Sequence, residues 1–250
     1  MGDRAAVDFG GYVMDVVQVR REGWDDESYP FNLPGIATWE TLELHENVTF
    51  VVGENGSGKS TLIEAIAIAA GFNPEGGSRD HMFSTRDTHS ALHDYLRLVR
   101  SPIRPKDGYF LRAESYYQQS SYIDDVAGVA RYGGTALHKQ SHGESFMSLF
   151  WHRFEGKGLY ILDEPEAALS PQRQIEFLKR LHELVQDDSQ FIIATHSPMI
   201  LAYPDAWIYE MARGGPRQAE WGELRHTGLT KDFLNNPEAY LHEIMNARKN

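Results

Sequence analysis

The 250-residue chain contains no cysteine, which excludes disulfides, zinc–thiolate sites and thiol catalysis. No apolar run approaches the length needed to cross a bilayer. The N-terminus, MGDRAAVDFGGYVMDV, lacks the basic-then-apolar layout of a signal peptide, and Ala6 stands where a myristoylation signal favours Ser or Thr. Positive charge is also scarce. Twenty-four Lys and Arg face 36 Asp and Glu, so the formal charge is −12, which disfavours general binding to nucleic acid or anionic membrane. Internal repeats, low-complexity tracts and heptads are missing as well. The expectation is a soluble, cytoplasmic protein.

What is present is ordered as buried strands alternating with helices. Thr41 to Val52 alternates and then turns solidly apolar, as a strand entering a core does. GENGSGKS follows, then the Ala-, Ile- and Leu-rich stretch 60–70, with Gly71 as a C-terminal stop. Residues 72–90 read as loop, 91–100 (ALHDYLRLVR) as a short helix, GYFLRAE (108–114) as a strand, and 144–154 as a helix. GLYILDE (158–164) reads as a buried strand. Ser170 and Pro171 then cap a helix whose apolar face is Ile175, Leu178, Leu181 and Val185. QFIIATHS (190–197) and Trp207 to Met211 are further strands, and a helix near 237–247 follows. The pattern predicts an α/β fold with a mostly parallel sheet flanked by helices.

Gly53-x-x-x-x-Gly58-Lys59-Ser60 matches the P-loop pattern in the strand-to-helix context that the pattern requires. Gly53, Glu54, Asn55, Gly56, Ser57, Gly58, Lys59, Ser60 and Thr61 are the expected phosphate-binding residues, because a Gly-rich loop turns several N–H groups inward at a helix N-terminus. Lys59 is expected to reach the β- and γ-phosphates, and Ser60 to ligate Mg²⁺. Asp163, ending a buried strand, is the expected second metal-side residue. Glu164 follows it and is placed to take a proton from an attacking water. His196, at the end of FIIAT, is placed to meet the γ-phosphate or that water.

Together these pieces resemble the ATP-binding-cassette (ABC) ATPases, whose order is P-loop, signature loop, Asp-Glu strand, D-loop and histidine strand. Gln140-Ser141-His142-Gly143-Glu144 corresponds to the signature LSGGQ, with Ser141 and Gly143 matching and the other three departing. Ala167-Ala168-Leu169-Ser170 corresponds to the D-loop, with serine in place of its usual acid. HGES, LDEPEAALSP and ATHSPMILAYP resemble the small stand-alone predicted ATPases of the AAA_21/RecF-like branch nearly end to end. The resemblance implies one domain over 1–250, with an antiparallel β portion near the N-terminus and a short helical signature lobe over about 72–150. It implies ATP and Mg²⁺ as ligands, ATP hydrolysis, and a head-to-tail dimer in which Ser141 and Gly143 complete the partner's γ-phosphate site. It also implies a glutamine-loop residue after GYFLRAE, Glu114 by position or Gln118, and a base-stacking aromatic among Trp24, Tyr29 and Phe31.

Two other functions share these motifs: the motor subunit of a membrane transporter, and a nucleotide-gated DNA- or RNA-binding module of the repair type. An unidentified protein partner fits either. Arg97, Arg100, Arg104 and Lys106 form a basic run that reads as a solvated helix end and proline-broken loop rather than as a nucleic-acid site. Arg79 and Arg86 flank the loop after the P-loop helix. The aromatics Tyr109, Phe110, Tyr116, Tyr117 and Tyr122 read as packing.

Overall fold

The structure, a computed structural model, describes residues 9–78, 89–112 and 142–246. Glu114, Gln118, Ser141, Arg79, Arg86, Tyr116, Tyr117 and Tyr122 lie outside the described residues. A seven-stranded sheet forms the centre. Its strands are β3 (Val48–Gly53), β4 (Gly77–Ser78), β6 (Asp107–Arg112), β7 (Gly158–Asp163), β8 (Gln190–Ala194), β9 (Trp207–Ala212) and β10 (Gly215–Ala219), in the order β10-β9-β3-β8-β7-β6-β4. The five inner strands are parallel, and β4 and β10 pair antiparallel at the edges. Every residue of β7 and β8 is buried, as expected where helices or a second sheet cover both faces.

Strand side chains alternate between the faces, so one run of sequence builds two cores. Val48, Phe50 and Val52 point to one side, where they meet α2 (His142–His152) and α3 (Pro171–Gln186). Phe150 stacks on Phe177 at 4.6 Å, and Phe154 on Tyr160 at 4.3 Å. Val51, Ile161, Ile192 and Ala194 point to the other side, where they meet α1 (Lys59–Ala70). Tyr109 and Phe110 are buried on opposite faces, as their packing role requires.

A second, antiparallel sheet, β2-β1-β5, comprises β1 (Val13–Gln18), β2 (Thr41–Glu43) and β5 (Leu96–Arg100). The side chain of Gln190 on β8 joins it to the main sheet. Its Oε1 accepts from the backbone N–H groups of Tyr12 and Val13, both at 2.9 Å. Its Nε2 donates to the carbonyls of Val13 at 2.7 Å and His45 at 3.0 Å. Gln190 is fully buried, with all its hydrogen-bonding positions used.

The structure corrects several expectations. Residues 91–100 are not an α-helix but a single 3₁₀ turn, Ala91–Tyr95, capped by Ser90, followed by β5. Arg97 and Arg100 therefore lie on a strand, and their exposed positions follow its pairing with β1. Thr41 to Val52 is two strands. Between them the His45 ring accepts from the N–H of Asn47 at 3.1 Å, and Thr49 Oγ1 accepts from the His45 N–H at 2.9 Å. On α3 the buried residues are Phe177, Leu181 and Leu184, with Leu178 and Val185 beside them, while Ile175 is 53% exposed. Two helices follow β10, α4 (Arg225–Asn235) and α5 (Pro237–Asn246), where one was expected. Over the expected signature lobe, the described residues form β4, the Ala91–Tyr95 turn, β5, β6 and α2. No helix among the described residues is long and apolar enough to cross a membrane.

Replacing Gln190 with Leu would strand two buried N–H groups and two carbonyls. The expected loss is about 3 kcal/mol in urea unfolding. A loss below about 1 kcal/mol would show that the clamp does not hold the two sheets together.

Candidate functional site

The parallel inner strands all end at one edge of the sheet, and there the motifs meet. β3 runs into the P-loop, β7 into Asp163 and Glu164, and β8 into Thr195 and His196. Gly53 is required twice over. Its φ of 149° is uncommon for L-residues, and a Cβ would lie 2.7 Å from the Met211 carbonyl and 2.8 Å from Ser57 Oγ. Gly58 begins α1 without a side-chain cap, so the helix presents its first N–H groups and the positive end of its dipole to the loop. Gly35 N–H donates to the Ser57 carbonyl at 3.0 Å and seats residues 33–36 against the P-loop.

Lys59 is 4% exposed, and its Nζ donates to the carbonyls of Gly53 at 2.9 Å and Glu54 at 3.2 Å. Burial pushes its pKa down, while the carboxylates of Glu164, Asp163 and Glu166 work against that. Ser60 Oγ donates to Asp163 Oδ1 at 3.1 Å. A hydroxyl and a carboxylate oxygen so close are hard donors of the kind Mg²⁺ takes while phosphates and water fill its other positions. No group of three or more His, Cys, Asp or Glu capable of holding a metal by itself occurs among the described residues.

Glu164 sits in the left-handed region, φ 52° and ψ 54°, an uncommon place for a non-glycine residue and typical of strained functional sites. Its N–H donates to the Ala194 carbonyl at 2.9 Å, which fixes the turn against β8. The turn brings Glu164 Oε1 within 3.7 Å of His196 Nε2. Burial lowers the His196 pKa first, Lys59 adds to this, and Glu164 opposes it. A neutral imidazole with its proton on Nε2 suits the carboxylate it faces. Ser57 Oγ and His196 Nε2 are shielded from solvent without a hydrogen-bond partner among the described residues, two polar atoms suited to phosphate oxygens.

The signature and D-loop positions touch within one chain. A Cβ on Gly143 would lie 3.1 Å from the Ala168 carbonyl and 3.1 Å from Arg173 Cδ, so the glycine permits close packing. Ser170 caps α3 by accepting from the Arg173 N–H, as expected. Of the candidate stacking aromatics, Phe31 is 4% exposed and packs on Trp24 at 4.3 Å, whereas Tyr29 is 63% exposed.

Two residues escaped the sequence reading. Glu166, in the 3₁₀ turn Pro165–Ala168, accepts from Thr195 Oγ1 at 2.8 Å and from the His196 N–H at 2.5 Å. It fixes the backbone that carries His196. Arg112, paired across β6–β7 with Asp163, forms an ion pair with Glu64 of α1 at 2.5 Å. Both are ordinary charged residues in sequence, and only the fold gives them partners.

Known proteins share parts of this sequence and its fold. A protein-family model described as an AAA ATPase domain matches residues 134–201, and one described as an AAA domain matches residues 33–130. UvrABC system protein A of Rhizobium meliloti (strain 1021) is 29% identical over 94 residues, which is 37% of this chain and 9% of that protein. The chain thus spans a small fraction of that relative. An uncharacterized ABC transporter ATP-binding protein of Haemophilus influenzae is 25% identical over 235 residues, covering 82% of this chain and 85% of that protein. Among solved structures, CbiO1 of Clostridium perfringens, described as part of an ABC transporter complex, superposes with a TM-score of 0.51 at 18% identity, covering 93% of this chain and 99% of that one. An SmcHead structure bound to the C-winged helix domain of ScpA gives 0.50 at 14% identity, covering 83% and 97%.

Glu166 generates a pH prediction. Burial raises its carboxyl pKa, and the hydrogen bonds from His196 and Thr195 oppose the rise. A raised value means that the folded protein holds the proton more tightly than the unfolded chain does. That contribution is complete below the ordinary carboxylate value and is lost as pH rises through the folded value. Glu166→Gln keeps an acceptor for His196 and does not titrate. Its stability relative to wild type is therefore expected to rise across that window in denaturant titrations at stepped pH. A pH-independent difference would contradict the assignment.

Proposed function

We propose that this chain, whose fold is that of the ABC-type P-loop ATPases, is a single ATPase domain that binds Mg-ATP and hydrolyses it to ADP and phosphate, two copies closing head to tail over two nucleotides as a conformational switch. The observation that carries the reading is the meeting of the P-loop, the Ser60–Asp163 pair and the Glu164–His196 pair at one sheet edge. In this reading residues about 72–150 form the reduced signature lobe.

The P-loop N–H groups and Lys59 hold the β- and γ-phosphates by charge-assisted hydrogen bonds. Ser60 and Asp163 would hold Mg²⁺, which when bound neutralises charge building on the phosphates. Glu164 takes a proton from the attacking water. His196 donates a hydrogen bond from Nε2 to the γ-phosphate end, beside the Glu164 carboxylate. Glu166 keeps His196 in register. Ser141 and Gly143 serve the partner's γ-phosphate, and Glu114 takes the glutamine-loop position.

A second reading, in which ATP gates binding to nucleic acid, rests on the same P-loop, Asp163–Glu164 and His196 motifs. ATPase rates that rise several-fold with DNA or RNA would select it. The Haemophilus and Clostridium proteins instead favour a transporter motor, and co-purification with a membrane protein would select that.

Glu164→Gln keeps the shape of the side chain and removes the base, which typically slows hydrolysis about 10²- to 10⁴-fold. With Mg-ATP this variant is expected to run as a dimer in light scattering, and with ADP as a monomer or looser species, because a ligand bound only by the assembled form stabilises it. Adding Ser141→Arg should remove the ATP-driven dimer. An unchanged mass with nucleotide demonstrably bound would rule out the sandwich and leave a P-loop ATPase with another mode of action.

A further inference from the structure

After β10 the chain returns over the end of β8. Trp221 Nε1 donates to the Pro198 carbonyl at 3.0 Å, two residues beyond His196. Leu224, 1% exposed, is packed into the core under α2 and α3. Held by these contacts, α4 starts with no side-chain cap and places His226 in its first turn. The His226 ring lies edge-on to His196, with centroids 6.5 Å apart and planes at 75°. The Nε2 atoms of both rings are shielded and without a hydrogen-bond partner among the described residues. The charges of Lys59 and Glu210 also reach His226, so it lies within the field of the nucleotide site.

His196 is fixed at its backbone by Glu166, but its ring is steered only by what surrounds it. Glu164 at 3.7 Å is one such neighbour, and His226 is the other aromatic ring beside it. Edge-to-face packing is directional, so it restricts ring rotation as well as filling space.

We propose that His226 is a positioning residue for His196: its ring holds the His196 imidazole edge-on at the γ-phosphate end and so ties α4 to ATP turnover. This inference rests on the reading of the chain as an ATP hydrolase that uses His196. Since α4 exposes Leu229 and Leu234 on its outer side, a displacement of this helix would reach the chemistry through one side chain.

The test compares His226→Ala and His226→Phe in wild-type and His196→Ala backgrounds, measuring kcat, ADP affinity and the ring resonances of His196. Removing a group that orients a reacting side chain is expected to lower kcat about 10-fold in His226→Ala, with ADP affinity unchanged. Phe keeps a ring edge and should restore most of the rate. In the His196→Ala background His226→Ala should have no further effect, since the two act as a unit. His196 ring resonances, assigned by their loss in His196→Ala, should shift in His226→Ala. Equal rate losses in both backgrounds, or His196 resonances that do not move, would overturn the proposal. A wild-type protein that releases no phosphate, while His226→Ala still shifts the His196 resonances, would sink the hydrolase reading and leave the ring contact standing.

Discussion

The hydrogen bond between Ser60 and Asp163 spans 103 residues of sequence and closes the site. It forms because β3 and β7 run parallel on either side of β8 and end at the same edge of the sheet. Parallel sheets bring ligand groups to the carboxyl ends of their strands for this reason. A one-residue slip of β7 against β8 would turn Asp163 to the other face. Register is therefore the constraint on which the chemistry depends, and the two apolar cores set it, since each strand has buried residues on both sides. The Gln190 clamp extends the same order to the antiparallel sheet.

The site is electrostatically crowded. Asp163, Glu164 and Glu166 all act on the buried Lys59. Burial depresses the pKa of Lys59 and of His196 and raises that of Glu166. Perturbed groups gathered in one place, beside a non-glycine residue in the left-handed region, mark this strand end as a candidate functional site.

Much of this was legible in the sequence because the information is local. The P-loop is a contiguous pattern between a strand and a helix, and LYILDE and FIIATH announce buried strands that end in polar groups. What stayed hidden depends on distant partners. ALHDYLRLVR has helical composition, yet pairing with β1 makes its second half a strand. Ile175 fits the apolar period of α3 but faces outward, because Phe177 and Leu181 occupy the core side. Glu166 and His226 have no signature, since their roles come from the strand end and helix start that the fold places beside His196.

The most direct measurement titrates Mg-ATP calorimetrically into wild-type and Lys59→Ala protein and follows phosphate release from the same samples. Loss of the buried Lys59 removes charge-assisted hydrogen bonds to phosphate, so affinity should fall about 100-fold and turnover should vanish. Wild type should bind and release phosphate continuously. Equal ATP affinity in the two proteins would contradict the claim that this sheet edge is a nucleotide site.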